Sequence, residues 1–367
     1  MLTQPASLGV SLLLSFLYPR RFLQFRIGVF FSAATVSNRY ELLILKFKAD
    51  RSLPSQIAGA FGGLLAFALT NVKAGGLQSW RWLFIIEGLC TIGIAVIAYF
   101  ALISNVESAK FLTPEEKAYI KDRLEYDGTD IPMNDEFQWR FVRNGLADWK
   151  TWFSLLTYIG VLSALYSTAL QLPVILKTSL GYDAVRAQLM TVPVYACAAV
   201  CVLVFAYFSD KYQNRTGFLC LGTLISATGW ILIRVSANPN VRYGGCFLGA
   251  IGSYAGFPSI VALVSGNVGG KTKRSVTLGI LVGIGGMCGI ISSNIFLPRE
   301  SPTFTSASTI NISLNFLAFT TSLVNAALLH WANKRKQAKI DSGEAARLTR
   351  QELADLGDNS PYFKYRF

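Results

Sequence analysis

Residues 152–176 read WFSLLTYIGVLSALYSTALQLPVIL, a run without a single charged side chain. At about 1.5 Å per residue, a helix of this length exceeds the roughly 30 Å hydrocarbon core of a bilayer. Backbone amides in lipid have no water to bond, so such a run is a helix or part of a closed barrel. Polar and apolar residues do not alternate with period two, which excludes the barrel. Further apolar blocks precede it at approximately Ala6–Tyr18, Ile27–Val36, Ile57–Leu69 and Trp82–Ile103. Others follow at Ala187–Phe208, Gly217–Val235, Tyr243–Val264, Ser275–Leu297 and Ile310–Trp331. Composition agrees. Of the 367 residues, 52% are apolar and 15% charged, against about 25% charged in soluble domains. Mean hydropathy is +0.41. A disulfide scaffold, a disordered chain and an ordinary globular enzyme are all excluded. The sequence predicts an all-α polytopic membrane protein with about nine transmembrane helices.

The net charge of +13 is distributed over short connections. Arg20, Arg21 and Arg26 share one, Lys211 and Arg215 a second, and Lys271, Lys273 and Arg274 a third; residues 334–339 are basic again. The intervening connections carry only Lys73, then Lys177 and Arg186, then Arg234 and Arg242, then Arg299. Rich and poor connections alternate, so the rich set, the 104–148 segment and the C-terminus are expected on the cytoplasmic side. A nucleic-acid partner would need a continuous basic stripe, which this pattern lacks. Trp80, Trp82, Trp149, Trp152 and Trp331 stand at block ends, where indoles favour the headgroup level. All six cysteines (Cys90, Cys197, Cys201, Cys220, Cys246, Cys288) lie in apolar blocks and read as packing residues. With His330 as the single histidine, no His-based metal site, no cofactor and no catalytic triad are expected.

The polar stretch 104–148 is a linker. Within it, Thr113-Pro114-Glu115-Glu116 predicts a helix with an N-cap, a proline at its first position and acids at its positive end. Six spans follow, which is the arrangement of a transporter built from two six-helix halves. The domains expected are an incomplete N-terminal half (1–103), the cytoplasmic linker (104–148), a complete six-helix half (149–333) and a basic cytoplasmic tail (334–367). Three spans precede the linker where that plan has six, so the chain reads as truncated, and a non-transporting fragment is the competing reading.

Residues 36–56 interrupt the first half. Ile27–Val36 and Ile57–Leu69 are each too short to cross, and the stretch between them holds Arg39, Glu41, Lys46, Lys48, Asp50 and Arg51. Each Lys, Arg or Asp at mid-bilayer costs roughly 2.5–3.5 kcal/mol. Joining 27–35 to 57–69 restores a run of about 22 residues, one helix long. Val36-Ser37 is codable as GTG-AGT, a splice donor, and Gln56 as CAG, an acceptor. Translation of a retained intron is one reading of 36–56; an excursion between two half-helices is the other.

Several strings now resemble a known family. They are Leu14–Arg21, Phe30–Thr35, Ile57–Leu64, Trp80–Gly88 (WRWLFIIEG), Ala109–Glu116 (AKFLTPEE), Ser209–Arg215 (SDKYQNR), Gly270–Ser275 (GKTKRS) and Asp358–Arg366 (DNSPYFKYR). Together they resemble the fungal allantoate permease family, in the anion:cation symporter branch of the major facilitator superfamily. Ala206 and Gln213 stand where the family's loop motif has glycines, and Gly286 where relatives often have asparagine. The resemblance implies a major facilitator fold lacking the first three helices. It further implies proton-coupled symport of a small organic anion (allantoate-, nicotinate- or pantothenate-like) by a plasma-membrane monomer embedded in lipid.

Candidate residues follow from the chemistry. Glu87 is an acid inside a span, which reads either as a proton-coupling group or as an ion pair with Arg81. Tyr158, Tyr166 and Gln171 on one rod, and Tyr254, Ser259 and Asn267 on another, offer hydrogen bonds to a carboxylated solute. Asp210, Lys211 and Arg215 at a helix end read as gating contacts, with an Asp placed to sit at a neighbouring helix's positive end. Gly245/Gly249, Gly252/Gly256, Gly279/Gly283 and Gly285/Gly289 have the spacing of close helix packing. No complete phosphate-cradling loop occurs, which argues against ATP-driven transport.

Overall fold

The computed structural model describes residues 9, 11–15, 18–32, scattered helical positions within 85–96, and residues 113–125, 138–182, 186–187, 190–301 and 303–367. Every regular element among them is helical. A 3-10 turn at Arg20–Phe22 leads into α1 (23–32). Then come α2 (Pro114–Glu125), α3 (Trp139–Ala147), α4 (Trp149–Leu180), α5 (Thr191–Tyr212), α6 (Arg215–Val235) and α7 (Pro239–Asn267). The last elements are α8 (Lys271–Gly286), α9 (Cys288–Asn294), α10 (Thr305–Asp341) and α11 (Arg350–Leu356). Among the described residues, six helices are long and apolar enough to cross a membrane: α4, α5, α6, α7, α8 with α9 as one unit, and α10. The expected all-helical, polytopic class is what the chain forms.

Local sequence sets the ends. Asp148 caps α4 by accepting from the Lys150 amide, and Gly181 closes it in the left-handed region. Asn214 caps α6, while Asn238 with Pro239 starts α7. The helix read from Thr113 is present as α2, with Thr113 and Glu116 bonding each other's backbone amides. Thr349 and Glu352 repeat that device at α11.

Two boundaries differ from the sequence reading. The apolar block 275–297 is not one rod: it breaks at Met287, directly after Gly285-Gly286, where two poor helix formers meet. The last helix passes through the expected boundary at 334 and runs to Asp341, because Lys334–Lys339 are good helix formers and cations suit a helix's C-terminal turn.

The glycines explain the tightest contact. A Cβ on Gly252 of α7 would lie 2.3 Å from the Gly222 carbonyl oxygen and the Ser226 amide of α6. One on Gly229 of α6 would lie 2.3 Å from the Gly249 amide. The two backbones therefore touch, and α6 contributes Gly222 and Gly229, partners that the four-residue spacing did not flag. Among the described residues, nothing lies within 4 Å of where a Cβ on Gly279 or Gly283 would be.

Helix α10 lies between α4 and α6. One core cluster joins Leu23 and Ile27 of α1 to Tyr158, Val161, Phe257 and Leu281. The other gathers Leu172, Tyr195, Trp230, Cys246 and Phe304 toward the opposite end. Trp149 and Trp152 are exposed at the start of α4, as indoles at a headgroup layer would be, and Trp331 is exposed within α10, where the apolar run gives way to Lys334–Lys339.

Candidate functional site

The residues proposed for binding occupy three places. Tyr158 and Tyr166, two turns apart on α4, share the first cluster. The Tyr158 ring is buried against the Cβ-less backbone of Gly285, 5.6 Å from Phe257. Half-buried Tyr166 lies over Gly289. The break at Met287 and the glycines beside it thus make room for two phenol rings. Gln171 is half-buried further along α4.

Tyr254 belongs to the second cluster and meets Tyr195 edge to face at 5.8 Å. The Tyr195 hydroxyl donates to the Thr168 carbonyl at 3.0 Å, so α4, α5 and α7 are linked there. Ser259 is fully buried, and its Oγ accepts from Gln24 Nε2 at 2.7 Å while donating to its own helix at Ala255. Asn267 ends α7, and its amide pairs with the Arg366 backbone at 2.7 and 2.8 Å. Tyr158 and Tyr166 are therefore brought together; Tyr254, Ser259 and Asn267 face other elements.

The loop residues make a joint with the N-terminal segment. Asp210 Oδ2 accepts from the Phe25 amide at 2.7 Å and also bonds the Gln24 amide, so a carboxylate sits on the positive end of α1. Arg215 donates to the Ala262 carbonyl at 2.8 Å and to the Arg20 carbonyl, with Asp210 Oδ1 3.9 Å away. Gly266 makes space for that guanidinium, since a Cβ there would meet its Nη1 at 2.5 Å. Gln213, at φ 53°, donates to the Arg21 carbonyl at 3.0 Å. Between these contacts Gln24 is completely buried and accepts from Ser209 Oγ at 2.6 Å. Lys211 is exposed beside Tyr212 and, among the described residues, takes no cross-joint contact of this kind. Glu87 and Arg81 lie outside the described residues.

A buried polar seam was missed by sequence reasoning. Asn311 of α10 donates to Ser167 Oγ at 3.0 Å; its Oδ1 accepts from Ser167 Oγ at 3.2 Å and from Ser163 Oγ at 3.4 Å. Ser292 of α9 donates to the Ser163 carbonyl at 3.1 Å. Thr157 and Thr321 meet at 2.9 Å. The available signal was the set of amides at 311, 315 and 325 within an otherwise apolar span. Among the described residues no three His, Cys, Asp or Glu side chains group to hold a metal.

The sequence pattern of the Major Facilitator Superfamily matches residues 51–293. The high-affinity nicotinic acid transporter of Saccharomyces cerevisiae is 30% identical over 311 residues, 85% of this chain and 58% of that protein. An MFS-type transporter of Penicillium expansum, cnsO, is 31% identical over 84% of this chain and 62% of its own length. The major facilitator-type transporter hxnP of Emericella nidulans is 30% identical over 84% of this chain and 63% of its own. The chain thus spans about three-fifths of these curated relatives. Among solved structures, an MFS proton:xylose symporter superposes with a TM-score of 0.58 at 15% identity, covering 89% of this chain and 67% of that one. That likeness shows the fold.

Proposed function

The chain belongs to the major facilitator superfamily, and from that premise we propose that it carries a small organic anion across a membrane by alternating access, coupled to a proton. The observation that carries this reading is the joint, where Asp210 accepts from the Phe25 amide at the start of α1. A carboxylate at a helix N-terminus contributes about 0.3–1 kcal/mol, up to about 2 when partly buried. A contact of that size holds two packed bodies together and is still broken when they rock. Asp210 and Arg215 are the gating pair in this reading. Lys211 supports it only as surface charge.

Carboxylated solutes of the allantoate, nicotinate or pantothenate kind are the proposed cargo, within the allantoate permease family. The nicotinic acid transporter among the relatives supports this class, as do the quoted motifs. Tyr158, Tyr166, Gln171 and Tyr254 are the proposed donors to the solute; Ser259 and Asn267, grouped with them on sequence grounds, are engaged by Gln24 and by the Arg366 backbone instead. Glu87 with Arg81 is proposed as the coupling or helix-fixing pair. In this organisation 149–333 is one six-helix half, 1–103 belongs to the other, and 104–148 and 334–367 are cytoplasmic; the protein works as a plasma-membrane monomer. Residues 36–56 are proposed to derive from a retained intron, which sequencing of the mature transcript tests.

Uptake of labelled nicotinate, allantoate and pantothenate in a permease-deficient cell, with and without 36–56 and with a protonophore, tests the function. Saturable uptake of one of them, abolished by the protonophore and with a raised KM in Tyr166→Phe, is expected. Uptake of none, or uptake indifferent to Tyr166, Tyr158 and Tyr254 together, overturns the assignment.

A further inference from the structure

The C-terminal residues fold back under the joint. After α10 the chain turns at Gly343 (φ 73°), forms α11, passes at Gly357 (φ 54°) into a 3-10 turn over Gly357–Asn359, and ends in a stretch without regular structure, residues 363–367, across the bundle end. Aromatic residues alternate along it: Phe363 and Tyr365 are buried and Phe367 partly so, while Tyr362 and Lys364 face outward. That is the side-chain period of an extended segment packed on one face.

Its backbone is held by side chains of the helices. Asn333 of α10 exchanges two bonds of 2.9 Å with Tyr365, and Asn267 of α7 exchanges its pair with Arg366. The Arg215 amide, at the first turn of α6, donates to the Phe367 carbonyl at 2.7 Å.

Asp358 is the anchor. It is 1% exposed, paired with Lys150 of α4 and, at 2.8 Å, with Lys273 of α8. Asp148 holds the same two ammonium groups at 3.2 and 2.5 Å. Lys336 of α10 donates to the Asp358 carbonyl and, at 2.8 Å, to the Phe363 carbonyl, and the Tyr365 hydroxyl donates to the Asp358 carbonyl at 2.8 Å. Without Asp358, two buried lysines would share one carboxylate. The docked segment therefore completes a desolvated charge cluster, which gives docking a specific register.

The segment also touches the other side of the joint. The Arg20 guanidinium lies 4.0 Å over the Phe363 ring, and Arg366 Nη1 donates to Gln213 Oε1 at 3.3 Å. Arg20 and Gln213 are both joint residues, since the Arg20 carbonyl accepts from Arg215 and Gln213 reaches Arg21. Opening the joint by moving α1 away from α5 and α6 requires Arg20 to leave Phe363.

We propose that residues 357–367 form a strap that belongs to the gate, anchored by Asp358 as a positioning residue and holding the joint closed through Phe363. The inference rests on the alternating-access reading. The docked strap binds the closed joint in preference to the open one, so it shifts that equilibrium by its differential contacts alone.

Spin labels at the exposed positions 22 and 212, on opposite sides of the joint, in a cysteine-replaced full chain in nanodiscs, report the joint's distance distribution. Asp358→Asn is expected to raise the fraction at long distance about tenfold. Phe363→Leu, which leaves the anchor intact, is expected to raise it about threefold. The exposed Tyr362→Ala leaves it unchanged. A distribution that stays put in both Asp358→Asn and Phe363→Leu overturns the strap, as does an equal response to Tyr362→Ala. Solute uptake by the same preparations keeps the two ideas apart: uptake with an unmoved distribution rejects the strap and spares the transport reading. A strap-dependent distribution with no uptake of any tested anion does the reverse.

Discussion

The bundle buries polar groups in two regions and by opposite means. At the joint end, Lys150, Lys273, Asp148 and Asp358 are buried as a charged cluster. Within the bundle, Ser163, Ser167, Ser292, Asn311, Thr157 and Thr321 form a neutral seam between α4, α9 and α10. Amides and hydroxyls lose little when a neighbour is removed, because membrane helices find substitute partners. A buried ion that loses its partner has no substitute. The seam is adhesive that tolerates sliding; the cluster is all or nothing.

Asp358→Ala is expected to give the largest effect, about 3–5 kcal/mol against strap docking, read as protease cleavage within 342–367 in membranes. Gly252→Ala should cost about 1–3 kcal/mol, because its Cβ meets backbone that cannot turn aside; thermal unfolding in detergent measures it. Asn311→Ala should cost about 0.6 kcal/mol and at most about 1.7 in the same assay. An Asn311 effect as large as that of Asp358 would erase the distinction drawn here.

Acidity gives the smallest effect. Burial pushes the Asp358 carboxyl up, but the Lys150 and Lys273 ammonium groups and their hydrogen bonds outweigh it and hold it below the ordinary carboxylate range. A depressed carboxylate contributes its stabilisation above the undocked value, about 3.9, and loses it only as pH falls through the lower docked value. Protease protection of the strap should be equal at pH 6 and pH 5 and vanish only in stronger acid. Release near pH 5 would mean that another group governs the cluster.

Much of this was legible. Uncharged runs dictated the crossing helices, and Thr113-Pro114 announced a helix start; the caps Asn214 and Asn238 are seen only in the structure. Asp210 was readable as a cap for a neighbouring helix, and α1 is that helix. The seam's amides were visible as residues but not as a set, since Asn311 and Ser167 are separated by 144 positions. The strap was hidden for the same reason. Its alternating Phe363, Tyr365 and Phe367 indicate an extended segment packed on one face, yet the partners lie 32 positions away at Asn333 and 99 at Asn267. Local pattern specifies that a face is buried, not what covers it. Lys273 looked like a topology marker, because basic residues grouped in a connection have that ordinary role.

Helices α6 and α7, pressed backbone to backbone through Gly222, Gly229, Gly249 and Gly252, amount to a single girder. Arg215 and Asn267 stand side by side at one tip of it, and Trp230 rides near the other. A tilt imposed far from the tip must swing both residues at once, so the Arg215 contact with Arg20 and the Asn267 contact with Arg366 travel as one unit, with no relay of side chains between them.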